Sequence, residues 1–176
     1  LSALCQAGLS TAGLLQQYGV TPKAMAGLLA DRSLVPGATT QNWTAQARQG
    51  QLTAVYYRRA LLNDLMNIIS QAARRHVILV GAPGSGRRTL VYSLSLLMAE
   101  GKGPAGLKAV VEISEQALLD NPLEAVRAGL RQAGAAGAGV LFVPNIHRFF
   151  GGPIRAEFAQ AEKAMQKAFL DDNVVV

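Results

Sequence analysis

Cysteine occurs once in the 176 residues, at Cys5, and histidine twice. A lone thiol excludes an internal disulfide. On an apolar helical stripe it reads as a small buried side chain, in keeping with a reducing compartment. His76 and His147 offer no metal-ligand spacing. Charged residues are scarce, at 16%. No stretch of about 18 uncharged apolar residues occurs, so no membrane-spanning helix is expected. An initiator Met is also missing: the chain opens at Leu1 and stops in Val174-Val175-Val176. Both ends are expected to be cuts through a longer polypeptide, which leaves a signal or transit peptide undecided. What is abundant is apolar: half the residues are hydrophobic, enough for one sizeable core plus an appendage.

Net charge is +6 with a pI near 9.9. The excess sits in Arg48, Arg58-Arg59, Arg74-Arg75 and Arg87-Arg88, at the boundaries of elements. No aromatics are interleaved with these arginines, so a solvated or anion-facing surface fits better than a nucleic-acid interface.

The stretch around which the chain is organised is His76-Val77-Ile78-Leu79-Val80-Gly81-Ala82-Pro83-Gly84-Ser85-Gly86-Arg87-Arg88-Thr89-Leu90. It reads as a buried strand, a glycine-rich turn and the start of a helix, the layout of a P-loop. The glycines let backbone N–H groups close around phosphate oxygens where a Cβ would collide. A helix N-terminus behind them adds about +0.5 charge of macrodipole. Gly81, Gly84, Ser85, Gly86, Arg87 and Arg88 are the phosphate-binding candidates. Arg87 stands at the motif's Lys position, and Arg88 stands where a Ser/Thr hydroxyl holds Mg²⁺.

Taken in order, residues 1–35 read as short helices, with Gly19 as a C-terminal cap and Thr21-Pro22 as the next helix start. Asp31 to about Gly50 reads as a linker, with Trp43 as an anchor pinning it. A helix is predicted from Arg58 to Ala73 with Leu61, Leu62, Leu65, Ile68 and Ile69 as its apolar stripe. Strand Val77–Val80 follows, covered on both faces. The P-loop helix runs from Arg88 to Glu100. Lys108–Ile113 is the next strand, Asn121 caps a helix with Pro122 at its first position and an end near Gln132, and Ala133–Gly139 is a loop. Val140–Val143 is a third strand. Ala156–Leu170 is an amphipathic helix, and a fourth strand opens at Val174. Phe149 and Phe150 either tuck under that helix or face a partner. Met25, Met66, Met98 and Met165 read as core fillers. Strand alternating with helix predicts an α/β fold with a parallel sheet and right-handed crossovers.

These residues resemble the first AAA+ module of the Clp family of protein unfoldases and disaggregases, with the tail of their N-terminal domain ahead of it. The family's G-x-P-G-x-G-K-T appears as Gly81-Ala82-Pro83-Gly84-Ser85-Gly86-Arg87-Arg88. Its Walker B stretch ending D-E-I-H appears as Val140-Leu141-Phe142-Val143-Pro144-Asn145-Ile146-His147. Its V-I-G-R adenine-pocket turn appears as Val55-Tyr56-Tyr57-Arg58. The resemblance implies a three-layer P-loop AAA+ parallel sheet with flanking helices, incomplete at its C-terminal end and preceded by a short all-α segment. The implied boundaries are 1–35 for the Clp N-like helices, 36–52 for a linker and 53–176 for the AAA+ large subdomain. Val55 and Tyr56 join the phosphate-loop residues as the implied nucleotide contacts.

The departures from the family lie at the chemistry. Pro144 stands at the Walker B Asp that holds Mg²⁺, and Asn145 at the Glu that polarises the attacking water. Tyr57 replaces the adenine-pocket glycine, and Ser114–Asn121 lacks the Tyr and glycines of the substrate-gripping loop. Phosphoryl transfer rests on positioning and electrostatics around a metal-bound triphosphate, so four such substitutions imply a pseudo-ATPase with no catalytic or metal-binding residues. It would hold no cofactor, or ATP/ADP weakly and without Mg²⁺. The implied partners are AAA+ or Clp-type subunits in a ring-like homo- or hetero-oligomer, away from membranes, in the cytoplasm or an organelle stroma or matrix. A second reading is nucleotide binding without efficient hydrolysis, with Arg87 and Arg88 clamping phosphates bidentately. A third, a basic nucleic-acid-associated module, rests on the pI alone.

Overall fold

The computed structural model describes residues 39–52, 58–73, 75–135, 137–150, 156–171 and 173–176. The expected N-terminal helices, Met25, and the adenine-pocket residues Val55, Tyr56 and Tyr57 lie outside them.

The first described element overturns an expectation. Thr40–Asn42 is a strand, β1, and Trp43–Arg48 a helix, α1, where the Pro/Gly/Thr-rich composition predicts a linker. Asn42 caps α1 by accepting from the Ala45 N–H at 2.9 Å. Trp43 is 3% exposed, wedged edge-on against Tyr92 and tilted against Phe142. The buried Thr44 hydroxyl accepts the Val110 N–H at 2.9 Å. Burial of one indole and one satisfied hydroxyl decides the fate of a stretch whose average composition is that of a loop. The expected anchor role of Trp43 holds, but what it anchors is an integral strand and helix.

β1 runs antiparallel to β2 (Ala109–Ile113), which runs parallel to β3 (Gly139–Phe142). Val175 adds a parallel bridge beside Val140, and the Val77 N–H donates to the Val176 carbonyl at 3.0 Å. The expected parallel sheet therefore carries an antiparallel strand at one edge. β2 is buried on both faces. Ala109, Val111 and Ile113 enter one core, which includes Leu118, Val126, Leu141 and Met165. Val110 enters the other, with Trp43, Leu62, Leu94 and Val140. Helices on both faces of one sheet make three layers, as the α/β expectation requires.

α2 (Arg59–Ile69) buries Leu62, Leu65 and Ile69. Leu61 and Ile68, expected in the same stripe, are exposed on its flank. α3 (Arg87–Ala99) follows the glycine turn and buries Leu90, Val91, Leu94 and Met98. A short helix, α4 (Glu115–Asp120), occupies a stretch with no predicted element. α5 (Pro122–Ala135) starts as expected, its Glu124 N–H donating to the Asn121 side chain at 3.3 Å. It runs on into the predicted loop. Gly129 is where α5 meets the sheet: a Cβ there would come within 2.8 Å of Ile113 and Leu141. α6 (Ala159–Asp171) buries Ala161, Met165 and Ala168. Phe149 is buried and packs with Phe150 on Phe158, which selects the tucked arrangement for that aromatic pair.

The strand expected at Val77–Val80 differs most. Val77 and Leu79 lean on the core containing α2 and α3, but Ile78 is 76% and Val80 89% exposed. A strand is covered where neighbours pair along its length. Among the described residues only the Val77–Val176 bond reaches this segment.

Candidate phosphate-loop site

The apolar segment Val77–Val80 delivers the chain to Gly81, and the turn that follows is built on left-handed glycines. Gly84 has φ +77° and Gly86 φ +82°, conformations that L side chains adopt at a cost. Gly86 caps α3 and accepts the Leu90 N–H at 3.0 Å. Within the turn the Ser85 N–H donates to the Ala82 carbonyl at 3.1 Å. Gly81 is fixed by proximity, because a Cβ would stand 2.7 Å from the Ser85 Oγ. The turn opens onto a cavity of about 740 Å³, whose walls include Arg87, Arg88, Glu115, Asn145, His147 and Phe169. The structure thus brings together Gly84, Ser85, Gly86, Arg87 and Arg88 from one side and the Pro144–His147 bend from the other.

Both arginines are engaged by the protein itself. Arg87 Nη1 donates to the Gly81 carbonyl at 2.6 Å, turning back onto the loop it follows. Arg88 Nη2 donates to Glu112 Oε2 at 2.7 Å, with its guanidinium 5.4 Å from the centroid of the Trp43 ring. Glu112 belongs to β2 and is 2% exposed. Burial pushes its carboxyl up to about 7, against the opposing pull of the Arg88 charge and of hydrogen bonds from Trp43 and Arg88. A buried carboxylate with a single cationic partner sits close to neutral where desolvation outweighs attraction. Arg88 is therefore engaged with an internal acid of the protein.

On the opposite wall, Asn145 has left-handed backbone, φ +49°, and its side-chain amide donates to Glu115 Oε1. Arg148 donates to the other oxygen of Glu115 at 3.3 Å. Pro144 supplies no side-chain ligand there. His147 is exposed in the 3₁₀ turn Ile146–Arg148. His76 sits at the far end of the cavity, where its Nδ1 accepts the Val176 N–H at 3.1 Å and its Nε2 lies 3.2 Å from the Phe169 carbonyl. Among the described residues no cluster of three or more His, Cys, Asp or Glu gathers to hold a metal ion, and no helix is long and apolar enough to cross a membrane.

Glu112 and Glu115 are absent from the sequence-derived site. Glu112 carried a usable signal: one acid inside the apolar run Ala-Val-Val-Glu-Ile demands a buried cation. Glu115 had none, since its partners Asn145 and Arg148 are brought to it only by the chain's return.

No family model matches the chain. Among curated relatives, the chaperone protein ClpB of Rhizobium meliloti (strain 1021) is 24% identical over 176 residues, covering 86% of this chain and 20% of that protein. The ATP-dependent Clp protease ATP-binding subunit ClpL of Staphylococcus aureus (strain USA300) is 27% identical over 112 residues, covering 64% of this chain and 14% of that one. The chain thus spans a fifth or less of the length of these relatives. Among solved structures, the S. cerevisiae Hsp104-ADP complex superposes with a TM-score of 0.63 at 20% identity, covering 78% of this chain and 20% of that one. The extended Hsp104:casein complex gives 0.61 at 19% identity over 78% of this chain and 25% of that one. Glycine turn, three-layer sheet and these likenesses agree: the chain is similar to the Clp-type proteins ClpB and ClpL and shares part of the AAA+ fold of Hsp104.

Proposed function

We propose that this chain is an AAA+ wedge retained for packing and assembly rather than for turnover, a pseudo-ATPase. The observation that carries the reading is the Arg88–Glu112 pair: at the magnesium-ligating position stands a cation already bonded to a buried carboxylate. Arg87, at the position of the phosphate-reaching Lys, is folded onto the Gly81 carbonyl. Asn145, at the position of the water-polarising Glu, is an amide donating to Glu115, and an amide does not serve as a general base at neutral pH. Loss of a general base alone removes roughly 10²–10⁴-fold of rate. As the family resemblance implies, the module packs beside AAA+ or Clp-type subunits in a ring-like assembly, in the cytoplasm or an organelle stroma or matrix.

Phosphate release from Mg·ATP by the purified chain is expected to stay at background, and steady release overturns the reading. A second reading, nucleotide held without efficient hydrolysis, is favoured by the open cavity of about 740 Å³ beside the glycine turn. Titration of a fluorescent ADP separates the two. If the arginines clamp phosphates, Arg87→Ala with Arg88→Ala weakens binding about tenfold or more. If they serve only the protein, the titration shows no binding in either form.

A further inference from the structure

A second concavity lies between α5 and α6, away from the phosphate loop. On α5, Leu123, Arg127 and Leu130 follow one another at helical spacing. On α6, Lys163-Ala164 and Lys167-Ala168 repeat one turn apart. Together they line a groove of about 610 Å³ with Val174 at its end. α5 therefore lends it two leucines and one arginine, and α6 two lysines beside two alanines. Arg127, Lys163 and Lys167 are exposed, and none forms an ion pair among the described residues. Among the described residues the acid lining the groove is Asp171, at the C-terminal end of α6.

We propose that this groove docks an acidic amphipathic helix of a partner protein. Leu123, Leu130 and Ala164 receive its apolar side, and Arg127, Lys163 and Lys167 receive its carboxylates. The dimensions suit a helix. Gln160 to Asp171 spans about 17 Å, three turns, and the alanines on α6 let a third helix approach to the usual 8–10 Å or so. Charge decides the identity of the occupant. Arg127, whose charge also acts on Glu124, and the exposed Lys163 and Lys167 around a partly apolar floor call for acids flanking an apolar stripe. A nucleic-acid strand uses the cations but leaves the apolar floor uncovered, and no aromatic lines the groove for base stacking. The surface stands apart from the reading of the phosphate loop, and its test does not depend on nucleotide.

The test is fluorescence anisotropy on the whole chain. The probe is a labelled peptide of about 15 residues with leucines at helical spacing flanked by glutamates. Saturable micromolar binding is expected, weakened about tenfold or more by Lys163→Glu with Lys167→Glu and likewise by replacing the peptide's leucines with serines. Both lysines are exposed, so circular dichroism of the doubly substituted chain is expected to be unchanged. Absence of saturable binding overturns the proposal. Equal binding of a scrambled peptide of the same composition overturns it in favour of unspecific charge attraction. Tighter binding of a single-stranded oligonucleotide overturns it in favour of a nucleic-acid site.

Discussion

β2 and the segment Val77–Val80 are two short apolar runs of nearly the same chemistry, and the structure treats them in opposite ways. β2 is paired on both edges, β1 on one side and β3 on the other, and buried on both faces. Among the described residues the segment before the glycine turn holds one backbone bond, from Val77 to Val176, and leaves Ile78 and Val80 in water. The difference teaches that an apolar run expresses a capacity for burial, and that partners supplied from far along the chain decide whether the capacity is used. It also locates the molecule's rigidity. The β2–β3 centre of the sheet, with Leu118 and Val126 fully buried against it, is where a substitution is felt. The phosphate-loop approach is where it is tolerated.

The comparison is broken most forcefully by placing one charge in each run. Val110→Asp puts an unpaired carboxylate into a fully buried position. A loss of more than about 4 kcal/mol is expected, read as loss of cooperative urea unfolding. Next comes the element that closes the β2 side. Trp43→Ala empties a buried indole site and is expected to cost about 3–5 kcal/mol, measured as a lower urea midpoint with an unchanged slope.

The third effect is pH-dependent. Glu112 titrates near 4.5 when exposed and about 7 in the fold, so the folded state binds the proton more tightly. Its contribution is full below about pH 4.5 and lost as pH rises through about 7. Relative to Glu112→Gln, the wild-type chain is therefore expected to lose stability across that window, by on the order of 3 kcal/mol. Parallel pH profiles of the two proteins would contradict the assignment. The smallest effect sharpens the contrast from the other side. Val80→Asp, at an 89% exposed position, is expected to change stability by no more than about 0.5 kcal/mol.

Much of the fold was legible because it follows local rules. The glycine spacing marked the turn that Gly84 and Gly86 build, and Asn121-Pro122 marked the start of α5. The run Val140–Val143 became β3, shifted by one residue to Gly139–Phe142. What escaped depends on distant partners. The composition of residues 36–52 reads as linker because nothing local reveals that Trp43 meets Tyr92 and Phe142, or that Thr44 takes the Val110 amide. The site divides in the same way. The sequence singles out Arg87, Arg88 and Asn145, but their bonds run to Gly81, Glu112 and Glu115. Two of these three acceptors are acids that no motif flags. Phosphate clamping by the two arginines was an inference from residue type, whereas the structure gives each guanidinium a protein acceptor.

The strand at the antiparallel edge has a consequence for the order in which the chain folds. Thr44 and Val110 are 66 residues apart, and Thr40, whose hydroxyl donates to the Gln132 side chain, is 92 residues from it. Closing spans of that length carries a large entropic toll before any contact rewards it. β1 and α1 are therefore the clasp that snaps shut after β2, β3 and α5 have assembled, and they are the first to let go. Amide exchange in Thr40–Arg48 is the place to watch for an opening that leaves the rest of the sheet protected.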